Sequence, residues 1–215
     1  MSMKDYLEQR AVMEFRIHTA NNSPTTYAGL CDFVLDRGRP QPESAPLTKE
    51  QFEYLTQVAK ATTLPFEPKQ CFHNAMMLAI CDSHLEGRIE YIEGFAYTGL
   101  LPVHHAWVEL DGKLVDLTRS LRPDSARDFI DGKPPQSDLR DRLLGVIPEG
   151  WEYIGTPFDS EEVQSYVWEH EETNSLITNY RDGFPKLKQE RLAPVPKAVL
   201  DRVRVYGEIE RIMGR

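Results

Sequence analysis

The chain has 215 residues, 40% of them hydrophobic and 10% aromatic, with a formal net charge of -9 and a pI near 5.2. That length supports one sizeable core, read as a single domain over 1–215. The acidic balance argues against a nucleic-acid footprint and against attraction to anionic membranes, and no apolar run approaches the ~20 residues that span a bilayer.

The opening Met1-Ser2-Met3-Lys4-Asp5-Tyr6 lacks the apolar core of a signal peptide, so a cytoplasmic location is expected. Three cysteines, Cys31, Cys71 and Cys81, make no disulfide framework, and no CxxC pair points to structural zinc. No metal and no other cofactor is expected.

In chain order, residues 4–18 read as a helix whose Phe15-Arg16-Ile17 end turns extended. Residues 28–36 are a short apolar segment compatible with helix or strand. Thr48 followed by Gln51 has capping-box spacing, and Phe52, Leu55, Val58 and Ala59 continue it as a helix to about Thr62. A second helix starts at Cys71, with Phe72, Ala75, Met76, Ala79 and Ile80 as its apolar stripe. Arg88 to Tyr97 alternates as a strand, with Gly94 marking a bulge or a close approach.

His105-Ala106-Trp107-Val108-Glu109-Leu110-Asp111-Gly112-Lys113-Leu114-Val115-Asp116 reads as a β-hairpin around Asp111-Gly112. A two-residue turn sets Leu110 opposite Lys113 and Trp107 opposite Asp116. One face then holds Ala106, Val108, Leu110 and Val115. The other, the polar face, holds His105, Trp107, Glu109, Leu114, Asp116 and Thr118, with His104 pointing away. Residues 119–146 are charged and irregular. Trp151 to Gly155 is a short strand, Asp159 or Ser160 caps a helix over 161–169, and Pro196 begins a last helix.

A cysteine at a helix start, with a histidine and an aspartate on one hairpin face, is the pattern of a nucleophile, a base and an orienter. The helix N-terminus and an adjacent imidazolium both favour the thiolate. Cys71, His105 and Asp116 are therefore the expected catalytic residues. The Cys71 backbone N–H and the Gln70 side chain are the candidate oxyanion donors. Trp107 and Asn74 are the expected site-lining residues.

These segments resemble the transglutaminase-like superfamily of papain-like cysteine enzymes. The resemblance is carried by Cys71-Phe72-His73-Asn74-Ala75, Tyr91-Ile92-Glu93-Gly94-Phe95-Ala96, His105-Ala106-Trp107-Val108-Glu109 and Val115-Asp116-Leu117-Thr118. Leu117 stands where proline is frequent in that family. Tyr153-Ile154-Gly155 further resembles a segment of uncharacterised bacterial and phage proteins that carry such a triad. The resemblance implies an α+β papain-like core over 68–158, with helical flanks at 1–62 and 160–215. It also implies acyl transfer through a cysteine thioester on a protein or peptide-like amide. Hydrolysis is preferred to crosslinking because no second-substrate site is legible. The competing expectations are a binding or structural protein on the same fold and a metal-dependent hydrolase using the same Cys and His residues.

Overall fold

The structure is a computed structural model that describes residues 2–20, 27–41, 45–62, 66–67, 69–120 and 143–178. The expectations for 121–142 and for the helix from Pro196 lie outside the described residues. The fold is mixed α+β, and the chain divides into two compact units, Met1–Arg39 with Leu176–Arg215, and Pro40–Ser175. Among the described residues no helix is long and apolar enough to cross a membrane.

The first unit contains α1 (Met3–Ala20) and α2 (Leu30–Arg37). Helix α1 runs straight through the Phe15-Arg16-Ile17 segment expected to be extended. Its buried stripe is Met3, Leu7, Ala11 and Phe15, spaced by four, whereas Met13 and Ile17 are 52% and 62% exposed. Helix α2 has glycine at its N-cap and therefore no side-chain cap of its own. Glu14 of α1 supplies one, accepting the N–H of Cys31 at 2.9 Å and of Asp32 at 3.3 Å. Gly29 leaves room for it, since a Cβ there would meet the Glu14 carboxyl carbon at 2.5 Å.

The second unit holds the remaining elements, apart from Arg39 of the two-residue first strand. Helix α3 (Lys49–Ala61) has the expected capping box: Gln51 N–H donates to Thr48 Oγ1 at 3.1 Å, and Thr48 N–H donates to Gln51 Oε1 at 3.0 Å. Helix α4 (Cys71–Ser83) follows. Strands β2 (Ile89–Tyr97), β3 (Val103–Leu110), β4 (Lys113–Val115) and β5 (Glu152–Phe158) then form an antiparallel sheet with the two-residue β1 (Arg39–Pro40) beyond β5, in the order β1-β5-β2-β3-β4. The short α5 (Leu117–Ser120) lies after β4, and α6 (Ser160–His170) after β5. Asp159 caps α6 by accepting the Glu162 N–H at 2.7 Å.

The hairpin register is the expected one: Leu110 pairs with Lys113, Glu109 with Leu114 and Val108 with Val115. Asp111 and Gly112 both have positive φ, 50° and 77°, as a type I′ turn requires. The turn is clamped from outside. Arg88 grips the Asp111 carboxylate with Nε at 3.1 Å and a terminal nitrogen at 2.6 Å, while its guanidinium stacks 4.6 Å from the Tyr54 ring centroid.

Gly94 is a close approach rather than a bulge, because it pairs regularly with both His105 and Gly155. A Cβ there would run into the Ile154 carbonyl oxygen and lie 2.5 Å from the Gly155 Cα. Gly155 in turn makes room for Trp107, whose ring would stand 2.6 Å from an added Cβ. Two expectations need correction. Strand β4 stops at Val115, so Asp116 does not pair with Trp107. The face carrying His105 is not the polar side of the hairpin either, since a core cluster of Ile92, Ala96, Trp107, Leu114, Leu143 and Tyr153 is built on it.

Candidate active site

Cys71 is the first residue of α4, directly after the N-cap Gln70. The turn before it is tight: Gln70 N–H donates to the Glu67 carbonyl at 3.3 Å, and Lys69 takes a left-handed φ of 67°. The first-turn N–H groups of a helix have no partner four residues back, and the helix dipole is positive there. Cys71 thus sits where a negative sulfur is favoured. It is 9% exposed.

The buried face of α4 is not the expected stripe. It holds Cys71, Asn74, Ala75, Leu78 and Asp82, together with Met76 and Ala79, whereas Phe72 and Ile80 are only half-buried. The inward polar residues are both fully used. Asp82 accepts the Tyr54 hydroxyl and the Ile89 N–H, the latter at 2.6 Å. Burial and that carboxylate push the Tyr54 phenol up to about 12. Asn74 is expected to line the site and instead holds backbone. Its Oδ1 accepts the Glu67 N–H at 2.9 Å, and its Nδ2 donates to the Glu67 carbonyl and to Thr118 Oγ1, both at 2.8 Å.

His105 lies three positions into β3 and is 4% exposed. Its Nε2 is 2.7 Å from Asp116 Oδ2, and the Cys71 thiol lies near enough to the same ring to raise its pKa. With Nε2 taken by the carboxylate, the Nδ1 edge is what remains for the thiol. Burial alone would lower the His105 pKa. The Asp116 charge and hydrogen bond, with help from Cys71, outweigh burial and raise it from 6.5 to about 9. The imidazolium is then the favoured form at neutral pH.

Asp116 is 1% exposed and carries two sets of bonds. Oδ1 accepts the Arg119 N–H at 3.1 Å, the N-cap geometry for α5. This explains why the strand ends at Val115. Oδ2 faces His105 and also accepts the Tyr153 hydroxyl at 3.0 Å, with the Arg119 Nε 3.7 Å away. Burial, then the Asp116 charge, raises the Tyr153 phenol far above its ordinary value, so it stays a donor. Trp107 stacks on His105 with centroids 6.3 Å apart, meets Tyr153 edge-on at 5.1 Å, and donates its indole N–H to Gln41 Oε1 at 3.1 Å. Gln70 is exposed and makes no side-chain cap bond.

The structure therefore brings Cys71, His105 and Asp116 together and sets Trp107 beside them. Tyr153 and Arg119, which also reach Asp116, are not among the residues expected from the sequence. For Arg119 the available signal was Asp116 as a helix N-cap three residues before it. For Tyr153 there was only the Tyr-x-Gly resemblance. His104 points to the other face, where its Nε2 lies 2.9 Å from Glu93 Oε1. Among the described residues no group of three or more His, Cys, Asp and Glu side chains converges so as to hold a metal ion.

The His105 shift has a testable sign. A folded pKa raised from 6.5 to about 9 contributes stability that is fully present below about 6.5 and is lost as pH rises through 9. Urea unfolding of the native chain is expected to show stability falling across that window. In His105→Gln that part of the slope should vanish, and an unchanged slope would contradict a charged His105. Comparisons of the chain with protein-family models, with curated proteins and with solved structures gave no match.

Proposed function

We propose that the chain is a cysteine-nucleophile acyl-transfer enzyme on a papain-like, transglutaminase-like core, acting on a protein or peptide-like amide in a cytoplasm. The observation that supports it most is the junction of a helix-start cysteine with a buried histidine–aspartate pair, Nε2 to Oδ2 at 2.7 Å, with the Cys71 thiol acting electrostatically on the same ring. A satisfied core histidine needs no thiol at a helix N-terminus beside it.

In this mechanism the Cys71 thiolate attacks the amide carbonyl carbon. The developing oxyanion is met by the Cys71 backbone N–H, with the exposed Gln70 amide free to swing in as a second donor. The C–N bond breaks as His105 Nδ1 gives its proton to the leaving amine, which leaves a thioester on sulfur. Neutral His105 then takes a proton from water while the oxygen adds to the thioester carbonyl. The C–S bond breaks, releasing the carboxylic acid and restoring thiolate and imidazolium. An amine in place of water would make the same chemistry a transfer, and hydrolysis is the preferred outcome. Asp116 holds Nε2 throughout, so that Nδ1 faces the sulfur.

The test is to trap the intermediate. Purified chain is incubated with a panel of peptide amides and aryl esters, quenched in acid, and searched by mass spectrometry for acylated Cys71. Acylation of Cys71 with release of amine or alcohol, absent in Cys71→Ala, is the expected result. Identical product release by the native and Cys71→Ala chains would overturn the assignment. The deep burial of all three groups favours one alternative, a binding protein that keeps the constellation without turnover. Its signature would be uniformly slow labelling of Cys71 by thiol reagents.

A further inference from the structure

We infer that Asn74 and Thr118 form a latch that sets the position of the Cys71 thiol against His105, making both of them positioning residues for the proposed reaction. The inference rests on the acyl-transfer assignment and adds to it a device that aligns the nucleophile.

Cys71 and Asn74 are three apart on α4 and so lie one above the other on the same helix face. Thr118 lies two residues beyond Asp116, inside the α5 turn that Asp116 itself caps. The hydrogen bond from Asn74 Nδ2 to Thr118 Oγ1, at 2.8 Å, therefore ties the helix carrying the nucleophile to the turn carrying the orienting carboxylate. The same amide clasps the other side of Cys71. Its Oδ1 and Nδ2 take the Glu67 N–H and carbonyl at 2.9 and 2.8 Å, and Glu67 starts the turn whose Lys69 is left-handed.

One side chain thus fixes the chain entering Cys71, the first helical turn after it, and the Asp116 segment across from it. Both N–H bonds of the amide are used, one on Glu67 and one on Thr118. Asn74 is 3% exposed, so water has little access to replace a missing partner. A displacement of about 1 Å in such a constellation is enough to weaken the action of the imidazole on the thiol severely.

Thr118→Val keeps the shape of the side chain and removes the hydroxyl that accepts from Asn74, whereas Thr118→Ser keeps it. The measurement is the rate of Cys71 alkylation by iodoacetamide against pH, resolved from Cys31 and Cys81 by peptide mass, with thermal unfolding followed in parallel. In the native chain Cys71 is expected to alkylate faster at acidic pH than a free cysteine does. Thr118→Val is expected to slow that alkylation about tenfold, and Thr118→Ser to restore it.

A Thr118→Val profile that overlays the native one, or a Thr118→Ser profile shifted as far as the valine variant, would overturn the latch while leaving the triad intact. A purely structural threonine would lower the unfolding temperature without moving the profile, which also overturns it. A native Cys71 that alkylates no faster than a free cysteine across the pH range would remove the acyl-transfer assignment itself, and the latch with it.

Discussion

His105→Ala is expected to lower amide or ester turnover by about 10⁴-fold or more and to return the Cys71 alkylation profile to that of an ordinary thiol. In the proposed reaction the imidazole stands beside the thiol and carries the proton in both half-reactions, so its loss would remove thiolate stabilisation and leaving-group protonation together. What survives is the helix N-terminus, which favours negative sulfur by only about 0.3–1 kcal/mol at an ordinary site. Asp116 should remain in place, because the Tyr153 hydroxyl and the Arg119 N–H still hold it at 3.0 and 3.1 Å. The fold should therefore survive, and circular dichroism of the variant is the control. A His105→Ala chain that alkylates at the native rate would show that Cys71 and His105 are not functionally joined.

The second large effect is structural and comes from the centre of the sheet. Gly94→Ala is expected to cost about 3 kcal/mol or more in urea unfolding. The added carbon meets the Ile154 carbonyl and the Gly155 Cα, which are backbone atoms with no rotamer to escape into. Relief requires β5 to move away from β2, and β5 carries Tyr153 to Asp116. The variant should thus lose the hydrogen bond that backs the carboxylate as well as stability. Wild-type stability in Gly94→Ala would mean that β2 and β5 are not so closely spaced.

Local signals placed most of the elements. The Thr48–Gln51 box, the Asp111-Gly112 turn and Asp159 are short-range patterns, and each marks an element boundary in the structure. The hairpin register followed from the turn and correctly put His104 and His105 on opposite faces. Interior polar residues were the blind spot. The apolar stripe drawn for α4 left out Asn74 and Asp82 because polarity stands for exposure in a periodicity argument. Both point inward because each satisfies backbone groups that would otherwise be buried without partners: Glu67 at one end, Ile89 at the other. The extended end expected for α1 failed for a related reason. Phe15 has a buried helical position to fill, and its apolar neighbour Ile17 is left exposed. Tyr153 and Thr118 act on residues 37 and 44 positions away, separations at which one sequence carries no spacing rule.

Asp116 divides its two oxygens between building and steering. One closes the α5 turn, the other aims the imidazole, and a single χ1 and χ2 must serve both. The aim of the ring therefore depends on the α5 turn and, through the Tyr153 hydroxyl, on β5 as well as on the β3–β4 hairpin. In the proposed reaction, a chain without β5 in place would hold its nucleophile without a fully backed base.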